Sequence, residues 1–126
     1  KLTQSLLRVA PTYTEMSDHV VYLPPPPTAR ALVDCRTPTS TPASCVQEIG
    51  LNPTPWYRAM QQAAQQNGAT FVDVLPWFCI AEVGCPSFVD GTAVRADVAH
   101  LTDAMSRKMG PVVGEAIAPA IDAAES

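Results

Sequence analysis

His19-Val-Val-Tyr-Leu-Pro-Pro-Pro-Pro27 decides the fold class. Its first five residues are a short, continuous, largely β-branched apolar run, the pattern of a strand buried on both faces in a parallel sheet. Four prolines then end it, because such a run continues only as a stiff polyproline segment. A rigid rim to a site at the carboxyl end of a strand is one use of that segment, and a plain stiff exit is the other. His19 stands at the strand entrance and reads as a strand-end polar residue. A second run of the same kind, Thr70-Phe-Val-Asp-Val-Leu75, predicts a second buried strand. Asp73 interrupts it and is expected to satisfy its carboxylate on neighbouring backbone.

Outward from the strands, helical periodicity takes over. Leu2, Leu6, Val9, Tyr13 and Met16 step by four and three residues, predicting a helix with that stripe inward, kinked or cut short at Pro11. Thr54-Pro55 reads as a cap and first helical residue, with Trp56, Met60, Ala63 and Ala64 buried, Gln61, Gln62, Gln65 and Gln66 wet, and Gly68 as the stop. Met105, Met109, Val112, Val113, Ala116 and Ile117 predict a last helix, bent or interrupted at Gly110-Pro111. The order helix, strand, helix, strand, helix is an α/β pattern. Two strands make a marginal sheet, so further strands are expected upstream of Lys1. The opening Lys1-Leu-Thr-Gln-Ser-Leu-Leu-Arg8 lacks the apolar core and small-residue cleavage site of a signal peptide. It reads as helix interior, in a chain cut from something longer.

Composition narrows the function. The chain has 126 residues, 47% of them hydrophobic, enough for one packed domain. A net charge of −4 disfavours nucleic acid and anionic membranes as main partners. No run reaches the ~20 apolar residues of a membrane span. Thirteen prolines against six glycines imply stiff connections. The four cysteines fall as two close couples, Cys35 with Cys45 and Cys79 with Cys85, and four cysteines allow three pairings. Local pairing is the simplest, each bridge closing a short Pro-containing loop and stabilising by roughly 2–3 kcal/mol. The C-x9-C and C-x5-C spacings fit zinc sites poorly. Disulfides point to an oxidising, extracytoplasmic compartment. The long irregular segment 28–53 would be tied down by the first of them.

The chemistry-bearing stretch is Arg95-Ala-Asp-Val-Ala-His-Leu-Thr102. A carboxylate three residues before an imidazole lets Asp97 hold the Nδ1–H of His100, leaving Nε2 free to take a proton from a nucleophile. Thr102 is positioned to cap the last helix, with Asp103 in its first turn.

Taken together, the Val20–Pro27 run, the two cysteine couples, Val72-Asp-Val-Leu-Pro-Trp-Phe-Cys79, Cys85-Pro86 and Arg95–Thr102 form one ordered set. It resembles the extracytoplasmic SGNH domain fused to membrane acyltransferases of the acyltransferase-three family. The resemblance implies a flavodoxin-like, three-layer α/β SGNH hydrolase fold. It implies a Ser-His-Asp triad with Asp97 as orienting acid and His100 as general base, and no cofactor. The family's Gly-Asp-Ser nucleophile block and its oxyanion-hole glycine and asparagine have no counterpart here. The chain therefore matches the C-terminal portion of such a domain. Its expected partners are the N-terminal portion carrying the serine, an acyl donor, a carbohydrate acceptor and an upstream transmembrane acyltransferase domain. Acyl-ester transfer or hydrolysis on an envelope carbohydrate is the activity this implies. The contrasting reading is a secreted, disulfide-stapled binding module in which Asp97 and His100 only brace a helix start.

Overall fold

The computed structural model describes residues 2–47 and 55–126. Thr54, the expected helix cap, lies outside the described residues, as do residues 48–53 of the long segment. The chain packs as two compact units, one formed by Lys1–Pro25, Pro53–Asp73 and Pro111–Ser126 and the other by Pro26–Asn52 and Val74–Gly110.

The first unit holds α1 (Leu2–Met16), β1 (Val21–Tyr22), α3 (Pro55–Asn67) and β2 (Thr70–Phe71). As the apolar runs predict, β1 and β2 pair in parallel, with Val21 opposite Thr70 and Tyr22 opposite Phe71. The Thr70 N–H donates to the Val20 carbonyl at 2.9 Å and the Val72 N–H to the Tyr22 carbonyl at 3.0 Å. Regular strand is nevertheless much shorter than the apolar runs. At Val74 the backbone has already turned to the right-handed helical region.

α1 is buried on a different face from the predicted one, whereas α3 buries Ala63, Ala64 and, in part, Met60 as predicted and departs only at Trp56. Ala10, Tyr22, Ala63 and Ala64 make the core, with Leu6, Leu7, Val20, Met60, Ala69 and Phe71 packed against it. Val9, Tyr13 and Met16, expected inside, are 43%, 47% and 80% exposed, and Trp56 is 41% exposed while its neighbour Tyr57 is buried. The physical reason is size: α1 packs against α3 through alanines, with Ala10, Ala59 and Ala63 fully excluded from solvent. A helix face of small side chains permits close approach that bulky residues would prevent, and a search for large apolar residues misses it. The Gln61, Gln62, Gln65 and Gln66 face is exposed as expected.

Pro11 does not stop α1, which runs on to Met16. Gly68 does stop α3: it sits at φ +64°, and the Ala69 N–H reaches back to the Ala64 carbonyl at 3.0 Å. That is the six-to-one bond of a Schellman ending, for which a left-handed residue is needed. Asp73 also takes a side-chain partner. Its carboxylate accepts from the Tyr57 hydroxyl, and the Tyr57 phenol is pushed well above its usual range by burial and by that bond. The Tyr57 ring also meets Phe71 edge-to-face, with centroids 5.0 Å apart.

The second unit contains α2 (Leu32–Cys35), a short 3-10 turn (Pro42–Cys45), α4 (Leu75–Phe78), and an antiparallel hairpin of β3 (Phe88–Val89) and β4 (Thr92–Ala93). Cys35 is bonded to Cys45 and Cys79 to Cys85, the local pairing, and no cysteine is free. All four sulfurs are thus oxidised, and no thiolate is left for a metal. The segment expected to be irregular therefore carries two short helical pieces bridged to each other. The two disulfide loops are cross-pinned. Gln47 and Cys85 exchange backbone hydrogen bonds at 3.0 and 2.7 Å, and the buried Ser87 hydroxyl donates to the Cys45 carbonyl.

The last helix, α5 (Asp103–Glu125), begins in the second unit and ends in the first. It is not interrupted at Gly110-Pro111 and carries both Pro111 and Pro119 within it. Met105 and Met109 are buried as predicted. No helix among the described residues is long and apolar enough to cross a membrane.

Candidate active site

The stretch Arg95–Thr102 folds into a narrow antiparallel loop. At its neck the Thr102 N–H donates to the Val94 carbonyl at 3.1 Å, and next to its tip the Ala96 N–H donates to the His100 carbonyl at 2.8 Å. Arg95 and Leu101 face each other between these two bonds. Thr102 then caps α5 as its position predicts: its hydroxyl accepts from the Met105 N–H at 3.1 Å and donates to the Ala93 carbonyl at 2.6 Å. Asp103 adds a first-turn carboxylate, paired with Arg107 at 3.0 Å. That exposed pair contributes little, but the acid suits the helix N-terminus.

Asp97 closes the tip. Its Oδ1 accepts the backbone N–H groups of Ala99 and His100, both at 2.8 Å, an arrangement that short acidic side chains favour in turns. Its Oδ2 lies 2.7 Å from His100 Nδ1. The backbone N–H of His100, that of Ala99 and the imidazole together hold the Asp97 carboxyl down at about 2. It is therefore ionised at neutral pH and can only accept. The proton between the two side chains belongs to His100 Nδ1, which leaves Nε2 as the lone-pair nitrogen of the neutral ring. Nε2 makes no hydrogen bond among the described residues. The His100 and Asp97 side chains are 81% and 53% exposed, so this nitrogen is open to a reacting group.

The loop is held from one side by the proline run. The Arg95 guanidinium donates through Nε and Nη2 to the Pro27 carbonyl, at 3.0 and 2.7 Å, and the Ala29 N–H donates to the Val98 carbonyl at 3.0 Å. Arg95 is only 5% exposed. Sequence reasoning assigned it no role, and nothing local could have done so, because its partner lies 68 residues away.

His19 is exposed in the first unit, its backbone engaged by the Ser17 hydroxyl at the entrance to β1. No hydrogen bond among the described residues joins a serine hydroxyl to His100. A cavity of about 880 Å³ lies in the second unit between Leu32, Arg36, Thr37, Pro42 and Phe88, and neither Asp97 nor His100 lines it.

Comparison with known proteins gives a family. No curated protein and no solved structure matches the chain. The family model described as the SGNH domain (fused to AT3 domains) matches residues 1–115. That match brings with it the SGNH hydrolase fold, with which these helices and small sheets are compatible as part of an α/β domain, and a function in acyl chemistry. From the Val20–Pro27 run to the Asp97–His100 loop, the elements described above lie inside the matched residues, and the chain belongs to the SGNH domain family fused to AT3 domains.

Proposed function

We propose that this chain supplies the acid and base of an SGNH-type Ser-His-Asp triad, acting in acyl transfer to, or ester hydrolysis of, a cell-envelope carbohydrate on the extracytoplasmic side. The observation that carries the reading is the Asp97–His100 pair, with Nδ1 fixed by a carboxylate at 2.7 Å and Nε2 unengaged. The nucleophilic serine and the oxyanion-hole donors are contributed by an N-terminal portion of the same domain, and an AT3 transmembrane region supplies the acyl group. The two disulfides support an oxidising compartment. The carbohydrate acceptor comes from the family likeness.

In this mechanism the serine hydroxyl attacks the acyl carbonyl carbon while His100 Nε2 takes its proton. Asp97 steadies the imidazolium that forms. The tetrahedral intermediate collapses, the leaving alcohol takes the proton back from Nε2, and the acyl-serine is resolved by a carbohydrate hydroxyl or by water through the same base. The test is labelling of the complete domain with a serine-reactive fluorophosphonate, with turnover measured alongside. His100→Ala should abolish labelling and lower kcat by about 10³-fold or more. The exposed His19 is the control, and His19→Ala should leave both unchanged. Full turnover in a folded His100→Ala domain would end the catalytic reading in favour of a binding module.

A further inference from the structure

We propose that Arg95 is a positioning residue that sets the Asp97–His100 pair by fastening its loop to the proline run. The inference rests on the reading of that pair as triad members. Both side chains of the pair are mostly exposed, so packing against them cannot fix where they point. Their placement has to come through the loop backbone. The loop is fastened to the proline segment at two points: at the tip by the Ala29 N–H on the Val98 carbonyl, and at the neck by the Arg95 fork on the Pro27 carbonyl. Pro27 follows three other prolines, so its carbonyl sits on a stretch with little freedom of its own.

Arg95 is a costly way to make a purely structural tie. Its guanidinium is buried, has no carboxylate partner among the described residues, and leaves Nη1 buried without a hydrogen-bond partner. Burial lowers its pKa from the usual guanidinium value, the mark of a desolvated cation. An apolar side chain of similar length would fill the same space without that penalty. What only Arg supplies is two donors in a rigid fork aimed at one oxygen. Misplacement of a catalytic base by about 1 Å can cost on the order of 10²-fold in rate, so the tie belongs to function more than to stability.

The experiment compares Arg95→Met and Arg95→Lys with the unaltered protein in the complete domain. Arg95→Met should melt within a few degrees of the parent, yet lower kcat about 10- to 100-fold with KM changed less than threefold. The carboxyl titration of Asp97, followed by carbon NMR, should move from about 2 towards the ordinary value as the turn loosens. Arg95→Lys keeps the charge and a single donor, and should fall between the two on both measures. A folded Arg95→Met with parental kcat, or with the Asp97 midpoint still at about 2, overturns the proposal. If Arg95→Met fails to fold, Arg95→Lys decides by the same two readings, and failure of both to fold would make Arg95 a stability residue only. The Asp97 titration needs no turnover. Arg95 can therefore prove to set the pair even if His100→Ala shows the pair to be non-catalytic.

Discussion

Asp97 accepts three hydrogen bonds, from the Ala99 and His100 backbone N–H groups and from His100 Nδ1, and all three favour its ionised form. Because its pKa in the fold is depressed, its contribution to the turn is complete above the ordinary carboxylate range. That contribution is lost as pH falls through about 2. An acid titration should therefore find the Asp97 midpoint near 2, with the Ala99 and His100 amides losing protection from exchange at the same pH. A midpoint near 3.8 would contradict the geometry. Asp97→Asn separates shape from tautomer. The asparagine oxygen can still accept the two backbone N–H groups, so the turn should persist. Its amide NH2, however, would face Nδ1 and drive the ring proton to Nε2. Turnover should drop by roughly 10³-fold or more while the fold survives. This pair was legible in the sequence because its geometry is local, three residues apart within one turn. Arg95 with Pro27, and Tyr57 with Asp73, were not, since each partnership is made only when distant segments meet.

Among the elements, the turns show what single residues are for. Gly84 sits at φ +119°, and a Cβ there would lie 2.4 Å from the Gln47 carbonyl oxygen and 2.9 Å from a Val46 methyl. The Gln47–Cys85 backbone pair that joins the two disulfide loops passes at that point. Gly84→Ala should therefore destabilise by about 2–4 kcal/mol, through strain and a forced separation of that pair. Gly91 is the comparison. It has φ +71° but open space around its Cα, so Gly91→Ala should cost only the left-handed strain of about 1–2 kcal/mol. Thermal melts that rank the two equally would refute the close-approach account. Gly91 also follows Asp90, which has φ +46°, and together they close the β3–β4 hairpin. An Asp-Gly dipeptide with both residues at positive φ is the strongest short-range hairpin signal, and it was there to be read at Asp90-Gly91. The two-residue strands beside it are too short to announce themselves by alternation. Helix existence was legible in α1, α3 and α5, and helix phase in α3, but helix phase was not legible in α1. There the inward face turns on Ala10, which packs with Ala63 and Ala64 of α3, and an alanine carries little weight in a hydrophobic pattern.

The helix–strand–helix–strand–helix order read from the sequence is kept by α1, β1, α3, β2 and α5, with α2, the 3-10 turn, α4 and the β3–β4 hairpin between them, yet the sheet of the first unit is two strands wide among the described residues. A parallel pair of two-residue strands offers few ladder bonds, and parallel sheets are normally covered on both faces and extended on both edges. In the same unit Val9, Tyr13 and Met16 form an exposed apolar stripe on α1, spaced four and three residues apart. A further strand beside this pair and a neighbour over this stripe would bury more apolar surface. The upstream portion proposed to carry the serine would fill both places. A chain extended upstream through the Gly-Asp-Ser block should then unfold at higher denaturant concentration than residues 1–126 alone. It should also do so with a steeper dependence, since more surface is exposed on unfolding. Amide exchange at Val21, Tyr22, Phe71 and Val72 should slow in the extended chain, and Met16 should become less open to oxidation. Equal midpoints and equal exchange in the two chains would mean that the β1–β2 pair is already complete, and that the serine does not arrive by extending this sheet.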